Sequence, residues 1–328
     1  MRPLSISPYG PNISVGTTGV YVAGDDQLSK YDFDGNVLWT RQIGASPEDF
    51  VTEVSVAPLG VYVVGANGGS AFVGLYDFDG SMIWTRYFET GSVLTASLSA
   101  DSRAVYVAGT VLVRFDGHSF IAKFDSKGNE LWNLRIDSRG VTAISVGPKA
   151  VYLAEYSRCF WHCHFISNTF VTAIDFDGNT LWTRQLNSQL PPTEGGGYST
   201  LAVGPTGIYV AETTLQGVPE TGYIYTVSFV RKYDFAGNEL WTRQSISGIR
   251  ISADSRGVYI TGNLWIAPVQ RPAQSLVQHL DSDGNEVWTF QFDPTVSPGP
   301  ISVSIRGVFV AGASTIARLC ASPSCLHN

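Results

Sequence analysis

One phrase recurs six times along this chain. It first reads Tyr31-Asp-Phe-Asp-Gly-Asn-Val-Leu-Trp39-Thr-Arg-Gln42, and later versions carry Trp84, Trp132, Trp182, Trp241 and Trp288. Successive tryptophans lie 45, 48, 50, 59 and 47 residues apart. A second phrase precedes each: GVYVAG at Gly19, GVYVVG at Gly60, AVYVAG at Ala104, AVYLAE at Ala150, GIYVAE at Gly207 and GVYITG at Gly257. A seventh copy, GVFVAG, begins at Gly307. Seven copies in 328 residues give about 47 residues per unit, the length of a four-stranded propeller blade.

Within a unit the apolar residues alternate with a period of two, which is strand patterning, and no useful helical period is present. Strand A is the Ile13–Val15 type, B the VYVAG phrase, C the LSKYD or IAKFD phrase, and D the LWTRQ phrase. Between C and D, Asp-Gly-Asn or a near relative supplies the positive φ that a tight hairpin needs. The expectation is an all-β, seven-bladed β-propeller of antiparallel blades, a single domain over residues 1–328, with repeats beginning near 13, 52, 95, 142, 199, 249 and 300. The seventh unit has A, B and a C-like Ile316–Leu319 but no tryptophan strand. The segment Pro3–Ser7 is either its closing outer strand, which would remove an exposed edge, or a disordered leader.

The run YDxxGNxLWTRQ after VYVAG resembles the bacterial and archaeal seven-bladed β-propeller repeat known as SBBP, over Gly19 to Leu319. It is more distantly similar to the tryptophan-docking blades of quinoprotein propellers. The resemblance implies a propeller, mostly of the surface or secreted kind, and leaves the activity open. A quinone is not expected, because quinoprotein propellers usually have eight blades and an adjacent-cysteine disulfide.

Composition narrows the function classes. The chain is 44% hydrophobic and 15% charged, so it can bury a large core. Its net charge of −7 argues against a nucleic-acid binder. The longest uncharged stretch, Val54 to Tyr76, contains Pro58, Gly60, Gly65, Asn67, Gly68 and Gly69, so no membrane span is expected. No basic-then-apolar leader opens the sequence, and a monomer is expected.

The six motif tryptophans are expected to pack blade on blade, with the adjacent Thr-Arg pairs as a recurring blade-to-blade hydrogen-bond device. The Asp-x-Asp-Gly-Asn turns have half the oxygen ligands of a calcium loop. Lys127 and Ala236 replace the second Asp in two of them, so turn chemistry is the preferred reading.

Function is sought where units deviate. Long B–C connections are expected at Ser157–Asn168, Thr213–Gly222 and Asn263–Ala273, and a long D–A connection at Asn187–Tyr198. All lie on one end of blades four to six. Trp161 and Trp265 fall in these loops, and with Tyr198 and Arg158 they are the expected ligand-binding residues for a glycan or a protein partner. The glycine ending strand B becomes Glu155 and Glu212 in blades four and five. These are candidate catalytic acids of a lyase or glycoside hydrolase, a cation site, or carboxylates that hold the loops through Arg158.

Cys159, His162, Cys163 and His164 gather soft ligands within six residues. The His-Cys-His string resembles the copper run of multicopper oxidases but lacks their following His and Gly-Met elements. The alternatives are zinc or copper, a Cys159–Cys163 bond, or free thiols. Pairing among these and Cys320 and Cys325 stays open. Local cysteine pairs, and five lysines beside sixteen arginines, lean toward an extracellular or cell-surface setting. No cofactor is expected, with zinc, copper or calcium as the exceptions to test. A non-catalytic binding or scaffold propeller is the leading expectation, and the enzyme is its alternative.

Overall fold

The computed structural model describes residues 12–24, 26–43, 49–67, 69–113, 116–137, 139–157, 168–186, 198–217, 224–265, 272–292, 298–312 and 316–319. Every element among them is a β-strand. The chain is an all-β, seven-bladed propeller built from antiparallel meanders. It forms two compact units, Met1–Asp137 with Gly299–Asn328, and Ser138–Pro298.

In the first unit, blade one is β1 (Asn12–Val15), β2 (Val20–Gly24), β3 (Gln27–Tyr31) and β4 (Val37–Gln42). Blade two is β5 (Asp49–Ala57), β6 (Gly60–Asn67), β7 (Ser70–Tyr76) and β8 (Met82–Thr90). Blade three is β9 (Ser92–Ala100), β10 (Val105–Val113), β11 (Asp116–Phe124) and β12 (Glu130–Ile136). In the second unit, blade four is β13 (Arg139–Val146), β14 (Val151–Ser157), β15 (Thr169–Ile174) and β16 (Thr180–Leu186). Blade five is β17 (Tyr198–Gly204), β18 (Gly207–Gly217), β19 (Ile224–Tyr233) and β20 (Glu239–Ser245). Blade six is β21 (Ser247–Asp254), β22 (Gly257–Trp265), β23 (Pro272–Leu280) and β24 (Glu286–Gln291). Blade seven, again in the first unit, shows β25 (Pro298–Ser304), β26 (Gly307–Gly312) and β27 (Ile316–Leu319). Its candidate closing strand, Pro3–Ser7, lies outside the described residues.

Burial follows strand position. Val20, Tyr21, Val22 and Ala23 of β2 are all buried, because the second strand is covered on both faces by neighbouring blades. The fourth strand lies at the blade's outer edge and is mostly exposed, as in β4. One residue of each fourth strand drops out of the pairing. Lys30 pairs with Trp39 and Tyr31 with Val37, leaving Leu38 as a bulge. The same skip recurs at Ile83, Leu131, Leu181, Leu240 and Val287. These six residues are exposed. A bulge re-aims the side chain that follows it, and here that side chain is the tryptophan.

Within each unit the tryptophan docks on the next blade's turn. The indole Nε1 donates to a turn carbonyl from Trp39 to Phe78 at 3.3 Å, Trp84 to Ser126 at 3.0 Å, Trp182 to Phe235 at 3.2 Å and Trp241 to Ser282 at 3.0 Å. The neighbouring arginines add Nε bonds from Arg86 to Gly128 O, Arg184 to Gly237 O and Arg243 to Gly284 O. Each of these guanidinium groups also lies over the tryptophan that precedes it. The Thr-Arg device is therefore carried by the arginine. Gly237 is required twice over: its φ is +84°, and a Cβ there would lie 2.8 Å from the Trp182 ring.

The turn itself is closed by its first aspartate. Asp32 Oδ1 accepts from the amides of Asp34 and Asn36, and Oδ2 accepts from Asn36 Nδ2. Equivalent sets serve Asp125, Asp175, Asp234 and Asp281. These oxygens are engaged in making the turn.

Candidate functional site

Two expected connections are shorter than their sequence suggests. The span Thr213–Gly222 is strand through Gly217, because β18 pairs with β19 from Thr213–Ser228 out to Gly217–Ile224. The span Asn263–Ala273 is strand at both ends, since β22 runs to Trp265 and β23 begins at Pro272. Trp265 thus ends a strand, opposite Pro272, rather than lying in a loop. Blade three is lengthened in the same way, with Thr110–Val113 paired to Asp116–Ser119. In blade four the described strand ends at Ser157, whose amide donates to Asn168 O at 2.7 Å. Tyr198 opens β17, paired with Thr213. Arg158, Cys159, Trp161, His162, Cys163, His164, Cys320 and Cys325 lie outside the described residues.

Glu155 and Glu212 occupy the middle of β14 and β18, and each is 2% exposed. A carboxylate placed that deep costs several kcal/mol unless it is paired, and both are. Glu155 Oε2 accepts from Arg139 Nη1 at 3.0 Å and from the Thr172 hydroxyl. Thr172 continues to Thr183 at 3.1 Å, and Arg139 lies 4.5 Å above the Phe170 ring. One polar side chain from each of the four strands thus forms a ladder across blade four. The partner among the described residues is Arg139 of the first strand, and the expected Arg158 lies outside them.

Glu212 is held differently. Its Oε1 accepts from Thr169 Oγ1 of blade four at 2.5 Å, and Arg231 Nε stands 3.7 Å from Oε2. Arg231 also donates to Glu239 at 3.3 Å and to Thr242 at 3.1 Å. Burial pushes the Glu212 carboxyl above the usual carboxylate range, against the opposing pull of Thr169 and Arg231. The two glutamates do not share one partner. Chemically, each is a strand-to-strand or blade-to-blade tie enclosed by its own cation.

Sequence reasoning missed both arginines, although one signal was present. The residue two before the C-strand aromatic or apolar terminus is Ser29, Gly74, Ala122, Thr172, Gln278 and Ala317 in the other blades, and Arg231 in blade five. A large cation there, in the blade that gains a glutamate, marks the pair. Among the described residues no group of three or more His, Cys, Asp or Glu side chains is placed to hold a metal ion. No helix among them is long and apolar enough to cross a membrane.

In a comparison with known families the chain matches the family described as outer membrane protein assembly factor BamB, over residues 7–152 and 73–267. The chain belongs to that family, a quinoprotein-like group of propellers. A comparison with curated proteins finds no match. Among solved structures, Drosophila semaphorin 2a is similar over 95% of this chain and 73% of its own, at 9% identity and a TM-score of 0.56. A eukaryotic initiation factor is similar at 10% identity and a TM-score of 0.43, and this chain spans 65% of its length. The protein lmo1340 of Listeria monocytogenes EGD-e is similar at 11% identity over 95% of this chain and 98% of its own, with a TM-score of 0.49. At such identities the likeness to semaphorin concerns the fold alone.

Proposed function

We propose that this member of the BamB family is a non-catalytic binding propeller whose partner is a protein. The docking end is the one carrying the B–C and D–A connections of blades four to six. The supporting observation is the state of Glu155 and Glu212: both are buried, and each is tied to its own arginine. An acid–base pair must reach a substrate proton, and carboxylates so enclosed serve the framework better than a reaction. The family's description is that of an assembly factor, a class of protein that acts on other proteins. The lengthened β18–β19 and β22–β23 hairpins give that end paired strand edges and aromatic positions, Tyr198 and Trp265, on ordered backbone. Those two aromatics are also what favours the second reading, a glycan stacked on them. In its finer form the proposal takes the repeat as SBBP-type and the chain as one monomeric domain.

No cofactor is proposed. Zinc, copper and calcium should each leave the melting temperature unchanged. A zinc or copper shift reversed by chelator would instead make Cys159–His164 a metal site.

The test is site-directed photo-crosslinking in the native host. Crosslinkers at Gln216 and Trp265 should give a protein adduct, and one at Ala236, in the C–D turn of blade five, should not. An adduct at Ala236 alone would overturn the proposal. A glycan array probed with the same chain reads the second possibility directly.

A further inference from the structure

Position 279 carries histidine where the first five blades carry Lys30, Leu75, Lys123, Ala173 and Lys232. The residue that pairs with both the second-strand tyrosine and the fourth-strand tryptophan is Lys30 in blade one and Lys232 in blade five. Those lysines extend past the tyrosine ring and donate to Phe78 O at 2.9 Å and Ser282 O at 2.8 Å. Blade six has His279, opposite Tyr259 on β22 and Trp288 on β24. The shorter side chain stays inside. It is 3% exposed, stacked on Tyr259 at 4.1 Å with the ring planes 4° apart, and 5.5 Å from Trp288. Neither ring nitrogen makes a hydrogen bond of good geometry, and the one backbone group near enough to favour a proton on the ring is that of Arg256.

We propose that His279 is an acid-sensitive latch: its protonation opens blade six and loosens the β22–β23 hairpin. A neutral imidazole suits the stack between Tyr259 and Trp288. An imidazolium needs acceptors for two N–H groups; the Arg256 backbone can serve one, and the two rings offer only their faces to the other. In the second unit, the charged groups facing the ring are Asp254 and Arg256, from the turn joining β21 and β22, and Asp281, after β23. Asp254 is already paired with Arg256, whose Nε donates to Asp254 Oδ2 at 2.8 Å. Asp254, Asp281 and the Arg256 backbone favour the charged ring, Arg256's own charge opposes it, and burial outweighs the favourable contributions to hold the pKa below the ordinary 6.5.

The sign follows from linkage. A histidine whose pKa is lowered on folding binds fewer protons in the closed state. Its contribution to stability is therefore intact above pH 6.5 and is lost as pH falls below that value. Each pH unit below 6.5 shifts the closed-to-open ratio by about tenfold, as long as the closed ring stays neutral. Only the consequence for docking rests on the function proposed above. The opening is a property of the chain without a partner.

Hydrogen exchange on the partner-free protein tests it. After correction for the intrinsic rate, amides of β22, β23 and β24 should exchange faster at pH 5 than at pH 7.5, by up to about 30-fold, and those of β18 and β19 should not. In His279→Phe the difference should vanish. The same acceleration in His279→Phe would overturn the proposal. So would an NMR titration of the wild-type ring showing an ordinary pKa near 6.5 in the folded state, a readout that does not depend on how the variant folds. Because no partner is present, failure of the latch and failure of the docking proposal are separate outcomes.

Discussion

At the scale of single residues, the polar groups in blade interiors divide into those with partners and those without. Tyr21 and Tyr209 bond Thr18 and Thr206 through their hydroxyls at 2.8 Å, whereas the Tyr152 and Tyr62 hydroxyls are buried without a hydrogen bond. Burial alone pushes the Tyr152 phenol up to about 12. Removing an unsatisfied hydroxyl forfeits nothing, so Tyr152→Phe should be neutral or stabilising. Tyr21→Phe should cost about 1 kcal/mol, with both read from urea midpoints. The Glu212 and Arg231 pair behaves asymmetrically. Arg231→Met strands a buried carboxylate and should cost roughly 3–5 kcal/mol at pH 8. That loss should shrink toward pH 5, because an uncompensated Glu212 is relieved by taking up a proton. Glu212→Gln keeps a neutral acceptor for Thr169 and should cost less. A loss in Arg231→Met that does not change with pH would mean that packing, and not charge, is what Arg231 supplies.

At the scale of elements, the bulge before each tryptophan decides which change matters. Leu181 is 54% exposed and makes no cross-strand pair. Leu181→Lys should therefore lie within about 0.5 kcal/mol of the parent. Deleting Leu181 should be far worse, because loss of the extra residue swings Trp182 away from Phe235 O. Trp182→Ala, which keeps the bulge but leaves a cavity, should cost about 3–5 kcal/mol. If the deletion were as mild as the Lys substitution, the bulge would not be what aims the indole.

For the whole molecule, pH is the variable that separates the contributions. The turn aspartates Asp32, Asp77, Asp125, Asp175, Asp234 and Asp281 all have lowered pKa values, through bonds from the amides and side chains of their own turns. A lowered carboxylate stabilises the fold above its ordinary value of 3.8 and loses that contribution as pH falls below it. Urea midpoints should therefore decline in two stages, one beginning below pH 6.5 and a second below about pH 4. The first should disappear in His279→Phe and the second should remain. A single decline starting near pH 4 in the parent would leave His279 silent.

What the sequence by itself determined is what a single repeat encodes. The blade length, the hairpin turn and the docked tryptophan are local matters: a period of about 47 residues, a glycine that must take positive φ, and an aspartate that reaches its own turn. Such signals survive in one sequence because each is written several times. The tertiary structure decided who pairs with whom. Arg139 lies 16 residues before Glu155, and Thr169 lies 43 before Glu212. Nothing local joins these residues until strands are laid side by side and blades face to face. It also decided that Thr213–Gly217 and Ile224–Ser228 are strand. The first of these, with its Thr and Gly residues and a Pro nearby, reads as loop, and backbone pairing with the β-prone Ile224–Ser228 run overrides that reading. His279 shows the same division. A histidine where other blades carry lysine, leucine or alanine is visible in the repeat, but its burial follows only from the two rings that enclose it.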